Sequence, residues 1–313
     1  MQSSPSHSFE AFTFRVLCSL RSLYFCAFAL ETSALVPNST VTQLDCVTSV
    51  NKLGAPLPTM PTAPALIKTS APLPEKPPHA VANLRNVRLA RSAKPFMARG
   101  GPRGVRCLGC RLVLTHCLCA LRPTLPVRAG MCLVMGDIEP LKPSNTGWLV
   151  ADVVPDTFAF GWARTEVDPA LLALLADPQW QPCLVFPGEF AAGERVVRHV
   201  QPTQGRRLLF VLLDATWPEA SKMFRKSPYL DHLPVLSLHS DQRSRYRLRR
   251  SQQADHFCTS EVAAMCLALG GEPLAAQTLT AYLDVFTTHY LQAKQQVPVD
   301  LDDAAHQHLR SLG

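Results

Sequence analysis

Glycine is scarce in this chain, and apolar runs of membrane-spanning length are missing. Of 313 residues, 15 are glycine against 27 proline, and 18% are charged against 47% hydrophobic. Those proportions exclude a collagen, a coiled coil and a wholly disordered chain. The apolar stretch from Phe12 to Leu30 is broken by Arg15 and Arg21, leaving Ser22–Leu30, too short to span a bilayer. Leu23–Leu35 resembles the apolar part of a secretory signal. Glu31 intrudes, however, and the start of the chain lacks a basic cluster, so export is not expected and a cytoplasmic location is. Acidic residues are absent altogether from residues 81–130.

What is present divides the chain into three. Residues 1–80 are nearly charge-balanced and carry eight prolines between 51 and 80, which predicts a disordered, proline-rich extension. Met60 and Met97 are internal candidate starts beyond it. Residues 81–130 hold ten Lys and Arg, including Arg85, Arg88 and Arg91, with no compensating acid. A one-sign block of this length predicts a basic arm that grips a polyanion, with nucleic acid favoured over mere solvated surface. Val81–Phe96 has apolar residues near helical spacing, predicting a basic amphipathic helix. From 131 to 313 the apolar runs Met131–Met135, Pro182–Pro187, Leu208–Leu213 and Leu233–Leu238 are strand-length. They alternate with helical stretches at 168–176, 217–226, 260–269 and 274–292. Continuous apolar strands are buried on both faces, so a largely parallel α/β sheet with flanking helices is expected, with ligands at the carboxyl ends of its strands.

Four of eleven cysteines crowd into one segment, Cys107, Cys110, Cys117 and Cys119, spaced C-x2-C-x6-C-x-C. Four thiolates can close a tetrahedral zinc shell, whereas disulfides suit a secreted chain and an iron–sulfur cluster is the other metal option. With four sulfurs available, His116 is expected at the surface. A shell closed by four protein ligands has no open position for catalysis, so the metal is expected to be structural, pinning the basic segment to the body.

The apolar run Leu208–Leu213 stops at Asp214 and is followed by Ala215-Thr216-Trp217-Pro218-Glu219. Thr216 and Glu219 have the spacing of a capping box and Pro218 suits a first helical turn. Capping accounts for those residues but not for Asp214, a carboxylate at the end of an apolar strand. Trp217 fits either a core or a stacking platform.

This segment, DATWPEASKMFRKSPYL, resembles the DTW-domain family, whose signature is Asp-x-Thr-Trp. The cysteine cluster ahead of it and the blocks EPLKPSNTG (139–147), LVFPG (184–188) and YRLRR…CTSEVAA (246–264) resemble the family in the same order. The likeness covers roughly residues 81–292. It departs from the family at Trp148, where relatives commonly carry a basic residue. The resemblance implies a SPOUT-like α/β fold whose C-terminal part forms a trefoil knot. It also implies a tRNA-uridine aminocarboxypropyltransferase of the bacterial U47 type, moving the 3-amino-3-carboxypropyl group of S-adenosylmethionine to N3 of a uridine and releasing 5′-methylthioadenosine.

On that reading Asp214, Thr216 and Trp217 are the catalytic candidates. Asp214 either removes the N3 proton as general base or holds the donor's amino or sulfonium group. Asn145, Thr146 and Gly147, then Phe186, Pro187 and Gly188, then Thr259 and Glu261 are the candidates for binding the donor. Ordinary turn and cap roles compete at each, and Thr259 is itself read as a cap. Arginines alternating with an aromatic can hold phosphate and stack on a base, so Arg245, Tyr246, Arg247 and Arg249 join Arg85, Arg88, Arg91, Lys222, Arg225 and Lys226 as expected tRNA contacts. Two other readings stay open: transfer of the methyl group, and a zinc-stabilised RNA-binding protein without catalysis.

Overall fold

The computed structural model describes residues 78–97, 101–238, 244, 246–248 and 257–313. The expected extension up to residue 77, with the segment resembling a secretory signal, lies outside the described residues. Among the described residues no helix is long and apolar enough to cross a membrane.

Six strands form one parallel sheet: β1 (Gly130–Met135), β2 (Thr157–Gly161), β3 (Trp180–Val185), β4 (Val196–Val197), β5 (Arg207–Asp214) and β6 (Val235–Leu236), in the order β2-β1-β5-β3-β6-β4. The most apolar run, LLFVLL, sits in β5 between β1 and β3. Its pairing register sets Asp214 beside Met135 and Leu212 beside Val185. Alternate residues divide between two cores. Met131, Leu133, Phe210 and Leu212 pack on one face, under α1 (Ala80–Ala90), α2 (Gly147–Val153), α5 (Thr259–Leu269) and α6 (Pro273–Gln295). Cys132, Val134, Leu209 and Val211 pack on the other, under α3 (Pro169–Ala176) and α4 (Trp217–Arg225).

Differences from the sequence expectation have local causes. Strands β2 and β4 are the edge strands, with apolar runs of only three and two residues. Helix α2 is buried on all sides, so it has no polar face to make a helical period visible. Helix α1 ends at its cap Arg91, several residues before the expected Phe96. Val81, Cys110, Leu112 and Leu118 share one buried cluster with β1 and β5, so residues 81–130 pack as part of the α/β body, and residue 130 marks no break in packing. The tail past residue 292 also packs inward, through α7 (Ala304–Arg310). His306 is fully buried, bridging Asp303 at 2.7 Å and His289 of α6 at 2.9 Å, and the other ring nitrogen of His289 meets the His116 carbonyl at 3.0 Å.

Asp152 of α2 is the polar centre of the helical side. Arg122 lies 2.9 Å from one carboxylate oxygen and the Tyr282 hydroxyl donates to the other at 3.1 Å. Burial raises this carboxyl from 3.8 to about 6 even though Arg122 opposes the shift. The folded chain therefore keeps the Asp152 proton to a higher pH than the unfolded chain. Its contribution to stability is full below about pH 4 and is lost as the pH rises through about 6. Urea unfolding across pH 4–7 should show this decline in the wild type, and Asp152→Asn should flatten it.

Candidate active site and metal centre

The carboxyl end of β5 delivers Asp214 into the protein rather than to a rim. It is fully buried, and both carboxylate oxygens accept hydrogen bonds: Oδ2 from Asn145 Nδ2 at 2.7 Å and Oδ1 from the Thr259 hydroxyl at 2.6 Å. Thr259 is the first residue of α5, whose N-terminal dipole favours a carboxylate there. The expected cap at Thr259 is made instead by Cys258, with Glu261 accepting the Cys258 amide at 2.7 Å and the Ser244 hydroxyl at 2.8 Å. Thr259 is thus released from capping, and its hydroxyl reaches Asp214.

Asn145 binds in three directions. Besides Asp214, its Oδ1 accepts the Trp148 amide at 3.1 Å and its backbone carbonyl accepts Arg111 Nη2 at 3.0 Å. Thr146 accepts the Ser260 amide at 3.3 Å. Gly147 has a specific reason: a Cβ there would stand 2.5 Å from Asp214 Oδ2. The expected loop therefore continues directly into α2, with Thr146 as its N-cap. The hydroxyl of Ser260, buried at the same helix start, has no hydrogen-bond partner among the described residues.

A second group of candidates lines the same sheet edge. Phe186 stacks on Trp217 at 5.6 Å and on Phe224 at 4.5 Å, and Phe190 meets Trp217 edge-on at 5.9 Å. Pro187 caps the turn that follows, and the Gly188 amide donates to the Ser237 hydroxyl at 3.0 Å. Trp217 is 41% exposed, so it is an open edge of this stack rather than core. Thr216 and Glu219 form the expected capping box.

The four cysteine sulfurs lie within 4.8 Å of one another, with Cys107–Cys119 at 3.5 Å and Cys110–Cys117 at 3.7 Å. Tetrahedral ligands about 2.3 Å from a zinc ion stand roughly 3.8 Å apart, so the set fits such a metal, while a disulfide needs about 2 Å. Gly109 keeps the cradle open, since a Cβ would meet Cys119 Sγ at 2.8 Å. A hydrogen bond from Cys119 draws the Cys110 thiol down to about 5. The same contact drives Cys119 well up, and burial pushes Cys117 to about 11. Thiols this close compete for ionisation unless a cation sits among them. His116 corrects its expected place: it is buried and not among the ligands, its Nε2 lying 2.8 Å from the Val297 carbonyl.

The expected RNA contacts separate. Arg85 donates to the carbonyls of Pro140 and Leu141, and Arg88 forms a two-pronged pair with Asp137 at 2.7 and 2.8 Å, so both are engaged within the fold. Lys222, Arg225 and Lys226 are exposed on and just after α4 and make no ion pair with a carboxylate among the described residues. Arg91 and Arg247 are exposed, while the half-buried Tyr246 donates its hydroxyl to the Ser144 carbonyl at 2.5 Å. Arg245 and Arg249 lie outside the described residues. Sequence reasoning missed Arg111, Asp152 and Ser260. The first was counted within the basic arm, and nothing in the local pattern of the others distinguishes them.

Metal loading should be measurable directly. The chain is expected to bind one zinc ion, with uptake weakening as pH falls because the thiols must lose protons. Cys110→Ser should reduce the stoichiometry found by elemental analysis to well below one.

No solved structure matches the chain. The family model described as DTW domain matches residues 104–291, more than half of the chain and including every cysteine of the cluster, the 139–147 loop, Asp214 and Thr259. With its Asp-x-Thr-Trp segment at the end of the central strand, this protein belongs to the DTW domain family.

Proposed function

We propose that this protein transfers the 3-amino-3-carboxypropyl group of S-adenosylmethionine to N3 of a tRNA uridine, at position 47 of the variable loop as the family resemblance implies. The observation that carries the proposal is the interlocking of Asp214, Asn145 and Thr259 at the carboxyl end of the central strand, within the matched DTW domain. The donor belongs at this edge of a parallel sheet. Polar groups there suit its aminocarboxypropyl arm: the Thr146 hydroxyl, the unpartnered Ser260 hydroxyl and the amino end of α5. Phe186 and Trp217 offer an aromatic wall. A SPOUT-like C-terminal knot and a cytoplasmic location are part of the same proposal. The parallel sheet flanked by helices supports the first at the level of fold class.

In the reaction the N3–carbon bond forms as the carbon–sulfonium bond breaks. The bonding electron pair stays on sulfur as 5′-methylthioadenosine leaves, and the N3 proton of uridine passes to Asp214 where that carboxylate is the base and otherwise to solvent water. Placement of the donor decides which of its carbons is attacked. Each Asp214 oxygen accepts one hydrogen bond inside the fold and keeps a further lone pair, which is compatible with both expected roles, removing the N3 proton and holding the donor's amino or sulfonium group. The metal fits as a structural ion held by Cys107, Cys110, Cys117 and Cys119, and its chemistry is that of a closed thiolate shell.

Asp214→Asn separates the roles. The amide would turn a donor toward Asn145 Nδ2 or the Thr259 hydroxyl, so positioning predicts loss of donor affinity by calorimetry together with loss of transfer. Intact affinity with a dead reaction would identify the base. Charge reversal at Lys222, Arg225 and Lys226 should weaken tRNA binding in filter assays and flatten its salt dependence while leaving donor binding unchanged. Mass analysis of the released nucleoside decides the reaction, because adenosylhomocysteine in place of methylthioadenosine would signify methyl transfer.

A further inference from the structure

Arg111 occupies a place that neither a basic arm nor a metal shell explains. It follows the ligand Cys110, adopts a left-handed backbone at φ 66° and is 2% exposed. Non-glycine residues take that conformation rarely and at some cost. Among the described residues it forms no ion pair with a carboxylate. Its Nη1 donates to the Lys142 carbonyl at 2.8 Å and its Nη2 to the Asn145 carbonyl at 3.0 Å, and the guanidinium lies 4.2 Å over the Trp148 ring. Burying a guanidinium is costly even with Asp152 and Cys110 favouring its charge from a distance, and an apolar side chain would fill the same volume with less penalty.

What the arrangement achieves is a direct mechanical link. The Asn145 carbonyl gripped by Arg111 belongs to the residue whose side chain holds Asp214. From the other side, Trp148 Nε1 at 3.0 Å and Arg122 Nη2 at 3.1 Å donate to the Gly109 carbonyl inside the C-x2-C turn. The 142–148 loop and the cysteine turn are therefore bonded in both directions. Resting on the function proposed above, we infer that the metal-binding knuckle is a strut for the donor-binding loop. Arg111 is the positioning residue that transmits metal order to Asn145 and Asp214, without touching donor or RNA itself.

The test uses the full chain with donor affinity by calorimetry, tRNA affinity by filter binding, metal content by elemental analysis and folding by circular dichroism. Arg111→Met is expected to keep its metal and its tRNA affinity while donor affinity falls about tenfold. Arg111→Lys, able to reach one carbonyl, should recover part of the loss. Chelating the metal should weaken donor binding to the wild type by a similar factor and add little in Arg111→Met. Donor binding by Arg111→Met equal to wild type would overturn the strut. So would a chelation effect as large in the variant as in the wild type. Should Arg111→Met not fold, Arg111→Lys decides the matter. A lowered kcat at unchanged KM for tRNA, with weaker donor binding, supports the strut, and wild-type values for both overturn it. A wild-type chain that fails to bind the donor at all would count against the proposed function instead.

Discussion

A carboxylate with no access to water, at the end of the central strand, is the constraint around which the rest of this molecule is arranged. Asp214 is accommodated in the interior because donors arrive from two distant segments, the amide of Asn145 and the hydroxyl of Thr259. A buried acceptor that loses a partner bears the full desolvation penalty, roughly 1–3 kcal/mol and more for a charge. The demand propagates outward. Gly147 must lack a side chain to admit the carboxylate, Cys258 rather than Thr259 must cap α5, and the Asp214 carbonyl accepts the Gly136 amide at 3.0 Å, closing the end of β1.

The cysteine knuckle enters the same arrangement through arginine. Arg106 holds the Arg111 carbonyl at 3.0 Å, Arg111 holds the 142–148 loop, and Arg122 joins Gly109 to Asp152. Together with Arg85 these side chains face carbonyls and carboxylates of the body, and Arg88 is taken up by a surface pair with Asp137, so half of the one-sign block from 81 to 130 is engaged within the chain. A run of like charge along a chain is not yet a surface potential. The cations left exposed lie along α4 and just after it, Lys222 over the Trp162 ring at 5.7 Å, while the half-exposed Trp217 begins the same helix where Asp214 ends β5.

Sequence patterns with strong local causes were legible. LLFVLL had to be an interior strand, Thr216 to Glu219 had to begin a helix, and four cysteines at this spacing had to converge on one point. The DTW segment, ordered with its companion blocks, identified the residues that meet at the end of β5. Less legible were the elements whose pattern is set by neighbours distant in the chain. Helix α2 is buried all round with Asp152 as its one charged residue, β4 is two residues long, and α7 is held by a buried histidine pair together with Leu309.

Period, cap and cysteine spacing by themselves determined the α/β class, the central strand and the four-cysteine cluster, because each is a short-range regularity, and the resemblance of the ordered motifs pointed to the family. Only the tertiary structure decided which arginines turn inward, that Asp214 is sealed rather than exposed, and that the cysteine turn grips the 142–148 loop. Those outcomes depend on which carbonyls and carboxylates lie opposite a given side chain once the sheet has brought distant segments together. Desolvation then selects the pairings, and no linear pattern encodes that selection.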